Sequence, residues 1–149
     1  MLNGGKAVIR IESVYEEKQI YQIMEHLSSC FFTSNINRAT LSKKIAQFGC
    51  FLVGYDGNNV AGFVGYYAND TEGKAGYLTT IVVSQIYQGI GIGNMLLHAC
   101  LDDCRKKGMT KCRLEVRKDN LKAQRFYSAR GFSKEAGSTE TTEFYVCNL

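Results

Sequence analysis

Between residues 85 and 94 the chain reads Gln-Ile-Tyr-Gln-Gly-Ile-Gly-Ile-Gly-Asn, with Gly89, Gly91 and Gly93 at alternate positions. Glycine at that density costs backbone entropy and packs nothing, so something must require a bare backbone there. An apolar run, "YLTTIVVS", precedes the stretch, and "NMLLHACLDDC", with helical apolar spacing, follows it. Strand, glycine loop and helix N-terminus in that order make an anion site. The consecutive amides have no intrahelical acceptor, and the helix dipole adds partial positive charge. A dinucleotide fingerprint, G-x-G-x-x-G, needs a small residue at 94, where Asn94 stands, and a phosphate loop ending in Gly-Lys-Ser/Thr needs a lysine that is absent. A tight strand-to-helix connection with incidental glycines is the plain alternative.

The six cysteines are Cys30, Cys50, Cys100, Cys104, Cys112 and Cys147. None form a C-x-x-C pair, and His26 and His98 stand outside ligand spacing from a cysteine cluster, so no metal is expected. Cys100 and Cys104, four apart, share a helix face. The reading is small buried hydrophobes in a reducing compartment. The formal net charge is +4 with lysines and arginines scattered, which suits an anionic small molecule and argues against a nucleic-acid footprint. No run reaches the roughly 18 to 20 apolar residues that cross a bilayer, and "MLNGGKAVIRIESVYEE" lacks the apolar stretch of a secretory leader. A cytoplasmic protein without a membrane partner is expected.

Elements able to hold such a loop follow from periodicity. "KAVIRIES" alternates Val8, Ile9 and Ile11 with polar residues and predicts a strand. Residues 15–29 and 38–48 carry helical spacing through Ile20, Ile23, Met24, Leu27 and then Leu41, Ile45, Phe48. Two apolar runs around "DGNN" predict a hairpin. "AGYLTTIVVS" is a strand, 92–107 a helix ended by Gly108, "KCRLEVR" a strand, "NLKAQRFYSAR" a short helix ended by Gly131, and "GFSKEAG" with "TEFYVCNL" a closing pair of strands. The order β-α-α-β-β-β-α-β-α-β-β predicts one α/β (α+β-like) domain over 1–149, with a mixed, mostly antiparallel sheet and helices on both faces.

Gln88-Gly89-Ile90-Gly91-Ile92-Gly93 resembles the Q/R-x-x-G-x-G/A signature of the GNAT superfamily of acetyl-CoA-dependent N-acetyltransferases. Downstream, Val116, Asn120, Ala123, Tyr127, Gly131 and Phe132 are in register with that family's V-x(3)-N-x(2)-A-x(3)-Y-x(3)-GF segment. The resemblance implies acetyl-CoA as co-substrate, no metal, a splay between the two central strands, and direct attack by a primary amine. A small-molecule acceptor such as an aminosugar, polyamine or amino acid is favoured over a protein terminus. It also implies a pyrophosphate on the amides of Gln88, Gly89, Ile90, Gly91, Ile92 and Gly93, with Asn94 at the helix start. The pantetheine arm would pair along Ile81, Val82 and Val83 like an added strand. The amide of Ile81 or Val82 would polarise the thioester. Asn120, in the same motif as Ala123, would hydrogen-bond the pantetheine, and Tyr127 would be the general acid, with Phe126 packing beside it. A phenol of pKa near 10 suits protonation of a thiolate within about 3 Å. Lys122 and Arg125 lie near the CoA phosphates or in solvent.

The sequence departs from the family pattern at several points. Where the family often carries a glutamate before the loop, Thr79 and Thr80 stand. Glu115 is one substitute for the general base, Glu140 and Glu143 are others, and Tyr77 is nearby; a water chain, or no base at all for a weakly basic amine, is the alternative. Gln88 replaces a frequent arginine and Asn94 a frequent basic residue. Phe31, Phe32, Thr79 and Tyr145 are the candidates for acceptor contact, with Tyr66 and Tyr67 as further aromatics. The missing glutamate leaves a second function open, a non-catalytic module that senses acyl-CoA. Family members often form homodimers, though no apolar stripe here demands one.

Overall fold

The computed structural model describes residues 8–32 and 36–149. Elements run β1 (Ile9–Ser13), α1 (Glu17–His26), α2 (Arg38–Phe48), β2 (Cys50–Asp56), β3 (Asn59–Tyr67), β4 (Ala75–Val83), α3 (Ile92–Lys106), β5 (Lys111–Arg117), α4 (Leu121–Ser128), β6 (Ser133–Ser138) and β7 (Thr142–Asn148). The order is the one the sequence predicts. Lys6 and Ala7, at the start of the predicted first strand, lie outside the described residues. The predicted helix over 15–29 is shorter: it ends at His26, and Ser28–Cys30 form a 3-10 turn. Serines compete with the helix for backbone hydrogen bonds, which favours stopping there.

One sheet of seven strands has the order β1-β2-β3-β4-β5-β7-β6. Every neighbouring pair is antiparallel except β4–β5. That parallel ladder covers only Ala75–Leu78 against Lys111–Leu114. Thr80 lies opposite Gly65 and Leu78 opposite Tyr66, so β4 has one extra residue, Thr79, against β3. Such a bulge bends and twists a strand. Past it β4 keeps β3 as its neighbour and β5 keeps β7, and the two central strands part. The splay is the one expected.

Helices cover both faces. On one, Leu96, Leu97, Cys100, Leu101 and Cys104 of α3 and Tyr127 of α4 pack with Leu78, Leu114 and Val116. On the other, Ile20, Met24 and Leu27 from the α1 side and Ile45 of α2 pack with Phe51, Val53, Phe63 and Val82. Each large side chain so buried contributes about 1.5–3 kcal/mol. Two polar ties fix these layers. Tyr66 donates its hydroxyl to Asp103 Oδ2 at 2.6 Å, joining β3 to α3. Tyr87, fully buried, donates to Asp56 Oδ2 at 2.8 Å and anchors the 3-10 turn Gln85–Tyr87 that leads into the glycine loop.

The seat of β4 beside β3 depends on Gly62. A Cβ there would lie 2.6 Å from the Val82 carbonyl oxygen and 3.2 Å from Val83 Cα. Both are backbone atoms that cannot rotate aside. Gly62→Ala is expected to cost about 1–3 kcal/mol as overpacking, read as a lower denaturation midpoint at unchanged m-value. An unchanged midpoint would show that the two strands yield there freely.

Candidate active site

The glycine loop takes its shape from two left-handed residues, Gly89 at φ +83° and Gly91 at φ +92°. A side chain in that region costs roughly 1–2 kcal/mol. A Cβ at either would meet nothing within 4 Å, so conformation rather than crowding calls for glycine. Gly93 differs: its Cβ would stand 3.4 Å from the Phe126 ring, at the close approach of α3 to α4. Gly91 starts α3 with no side-chain cap. The first helical bond runs from the Met95 amide to the Gly91 carbonyl at 3.1 Å. From Gly89 through Asn94, no amide has an acceptor among the described residues.

The end of β4 borders this loop. Gln88 Nε2 donates to the Val83 carbonyl at 3.1 Å. That carbonyl therefore faces away from β3. Antiparallel alternation places the backbone groups of Ile81 on the same open side and those of Val82 toward β3. Of the two amides named as thioester donors, Ile81's is the one facing the gap.

Between the parted strands, the loop and α4 lies a cleft of about 510 Å³. It is lined by Ile81, Val82, Val83, Gln88, Gly89, Gly91, Ile92, Gly93, Asn94, Asn120, Ala123 and Tyr127. These are the residues named for the co-substrate with one omission, Ile90, which is exposed and outside the lining. Lys122 reaches the cleft and Arg125 does not. Asn120 Oδ1 caps α4 by accepting from the Ala123 amide at 3.1 Å, which leaves its Nδ2 for another partner. Tyr127 is 6% exposed, wedged edge-on between Phe126 at 5.3 Å and Phe132 at 5.5 Å. Burial, with Cys100 and Cys112 adding to it, pushes its phenol well above the ordinary tyrosine range. The phenol is therefore held protonated.

Sequence reasoning missed Arg130. Its Nε donates to Asn94 Oδ1 at 2.8 Å and its Nη1 to the Phe126 carbonyl at 2.9 Å. The guanidinium lies over the Phe126 ring at 3.9 Å. This is a cation fixed at the start of α3, beside the free amides. The basic residue absent at position 94 is thus supplied from the chain just after α4. The i, i+4 spacing of Phe126 and Arg130 was readable; the partner on α3 was not. Cys30 and Phe32 also line the cleft.

Candidates for the acceptor side do not gather into one pocket. Thr79 lines a second cavity of about 520 Å³ with Leu41, Lys44, Phe48, Tyr67, Asn69 and Tyr77. Glu115 is exposed and accepts from the Thr142 hydroxyl. Tyr77 has its phenol pushed up first by burial and then by the Glu115 carboxylate. Phe31 packs on Phe63 at 5.8 Å, while Phe32 is 56% exposed at the cleft. Tyr145 is buried in the α3 core between β5 and β6, and Tyr66, tied to Asp103, lines a separate cavity with Ser13, Tyr15, Cys50 and Lys107 rather than the cleft. Glu143 pairs with Lys134 at 4.0 Å, and Glu140 is exposed.

The family model described as the acetyltransferase (GNAT) family matches residues 12–132. No curated protein matches the chain. Solved structures similar to it include a GNAT-family acetyltransferase from Staphylococcus aureus, 20% identical, covering 95% of this chain and 99% of that one at a TM-score of 0.77. The ribosomal-protein-S18-alanine N-acetyltransferase of Escherichia coli is 19% identical over 95% and 94%, at 0.80. The PaiA N-acetyltransferase of Thermoplasma acidophilum, in complex with coenzyme A, is 17% identical over 94% and 99%, at 0.74. At these identities the structures speak for the fold.

Arg130 clamps α3 to α4 by two hydrogen bonds and a ring contact. Arg130→Ala is expected to lower stability by about 1–2 kcal/mol, measured by chemical denaturation. A variant as stable as the parent would remove the clamp.

Proposed function

Because the chain belongs to the acetyltransferase (GNAT) family, we propose that it moves an acetyl group from acetyl-CoA to the primary amine of a small molecule by direct attack, in the cytoplasm. One observation carries this reading: a run of free amides on a left-handed glycine loop opens onto the same cleft as a buried, unionised Tyr127. Six amides at a helix N-terminus, with Arg130 fixed beside them, suit a pyrophosphate. The structural neighbour from Thermoplasma acidophilum was solved with coenzyme A. Among the described residues no helix is long and apolar enough to cross a membrane.

The residues divide the work as follows. The free edge of β4 orients the pantetheine arm, and Asn120 Nδ2 adds a hydrogen bond to it. The Ile81 amide donates to the thioester oxygen as it gains negative charge. The amine nitrogen bonds to the carbonyl carbon and the C–S bond breaks. Tyr127 gives its phenolic proton to the departing sulfur and recovers one from solvent. The proton lost by the amine passes to Glu115, directly or through water held at Thr79. No covalent enzyme intermediate is needed, and proximity supplies much of the rate.

Free thiol released from acetyl-CoA over a panel of amines tests this reading. The protein is expected to turn over at least one amine. Tyr127→Phe is expected to lower kcat by about 100-fold or more while leaving acetyl-CoA affinity within a small factor. Binding of acetyl-CoA with no thiol release across the panel would favour the sensor reading, which Thr79 and Thr80 in the usual place of a glutamate support. A separate measurement concerns the loop. Gly91→Val, with helix content intact, should weaken CoA binding at least tenfold, about 1.4 kcal/mol. Unchanged affinity in a folded variant would reject the amide cradle.

A further inference from the structure

Three thiols meet in the apolar layer between α3 and β5. Cys100 and Cys104 stand one turn apart on α3 and Cys112 faces them from β5, with all three Sγ atoms within 4.8 Å of one another. Each of the three residues has 0% exposure. Gly76 on β4 makes room for them: a Cβ there would lie 2.8 Å from the Cys104 sulfur. Among the described residues no histidine, aspartate, glutamate or further cysteine joins the group. The acetyl-transfer chemistry uses none of the three.

One buried cysteine is a small hydrophobe. Three sulfurs converging on one point are a ligand set, and the count and the medium select its guest. Structural zinc sites take four ligands, and a fourth is lacking. Three thiolates around a divalent ion would also leave net negative charge in a dry core, which is strongly unfavourable. A trivalent centre with three thiolates is neutral and needs no fourth ligand. We propose that Cys100, Cys104 and Cys112 form a three-thiolate site for a trivalent metalloid, the class of arsenite and antimonite. The three sulfurs already lie within 4.8 Å of one another, and a pyramidal trivalent centre seated above them, with bonds of about 2.3 Å of the zinc–sulfur kind, would draw them further together. The reaction balances without redox change: three As–O bonds of arsenous acid break, three As–S bonds form, and each thiol proton leaves in a water molecule. With the thiols fully buried, uptake waits on local opening of the α3–β5 layer. The site does not depend on the acetyl-transfer reading and stands or falls apart from it.

Arsenite added to the reduced protein tests it, read by native intact mass after desalting. One arsenic per chain is expected, with the loss of three protons, and slow uptake that quickens in sub-denaturing urea. A variant with Cys30→Ser, Cys50→Ser and Cys147→Ser should still bind one. Cys112→Ala, checked as folded by circular dichroism, should bind at least 100-fold more weakly. No retained arsenic, equal retention in Cys112→Ala, or loss of binding in the triple variant would each overturn the assignment. Should Cys112→Ala fail to fold, the triple variant decides alone, since its only remaining thiols are the three proposed.

Discussion

Everything at the cleft depends on a ladder that stops early. The parallel pairing of β4 with β5 ends at Leu78 and Leu114, although both strands continue. Unpaired backbone groups in a sheet interior are costly unless water or a ligand satisfies them. The parting is tolerated because each strand keeps one full neighbour, β3 for β4 and β7 for β5. The extra residue Thr79 turns β4 where the ladder ends. What results is an internal sheet edge at Ile81 and Val83, partly answered by Gln88 and otherwise open. An edge inside a sheet cannot pair with another chain laterally as an outer edge does. It admits something narrow and extended, which is the shape the pantetheine proposal requires.

The same parting is braced on the α3 face. Tyr87 holds the start of the loop to Asp56, and Arg130 holds α4 to the first turn of α3. The second support is electrostatically uphill on its own, because it adds a cation where the helix dipole is already positive. The stack on the Phe126 ring and the side-chain oxygen Oδ1 of Asn94 offset that cost. The net effect is positive potential at the loop, ready for an anion. Charge assistance is therefore kept although Gln88 and Asn94 are both neutral, and it comes from a position that local motif reading does not inspect.

What was legible in the sequence was what is local. The strand at 111–117 and the helix at 38–48 fall where periodicity places them, because burial on one face dictates their spacing. The cleft residues on the loop and on α4 lie within short motifs, because a glycine loop running into a helix start is a local feature of the chain. Residues whose meaning comes from a partner far along the chain were opaque. Asn94 read as a missing charge until Arg130 was beside it. Tyr145 and Tyr66 read as aromatics free to line a pocket, and packing buries both. Cys100 and Cys104 shared a face on paper, but the strand crossing that brings Cys112 to them is a property of the sheet order.

This contrast has a physical root that bears on the acceptor. A donor held by backbone constrains few side chains, so its motif stays compact. An acceptor must be chosen by side chains, and those here come from several elements. Thr79 and Tyr77 of β4, Lys44 and Phe48 of α2, Tyr67 of β3 and Asn69 after it surround the second cavity. Thr79 belongs to that cavity while Ile81, two residues on, belongs to the cleft. The bulge thus sets consecutive parts of one strand against two different chambers. A group transferred from one to the other would cross at the point where β4 and β5 part, beside Glu115. Tyr67 lines the second cavity, and its buried hydroxyl has no hydrogen-bond partner among the described residues. A buried phenol left unpaired costs about 1–3 kcal/mol, a cost that a polar group entering the second cavity would recover. The α2 side of the sheet thus presents its side chains to a second chamber, apart from the glycine loop.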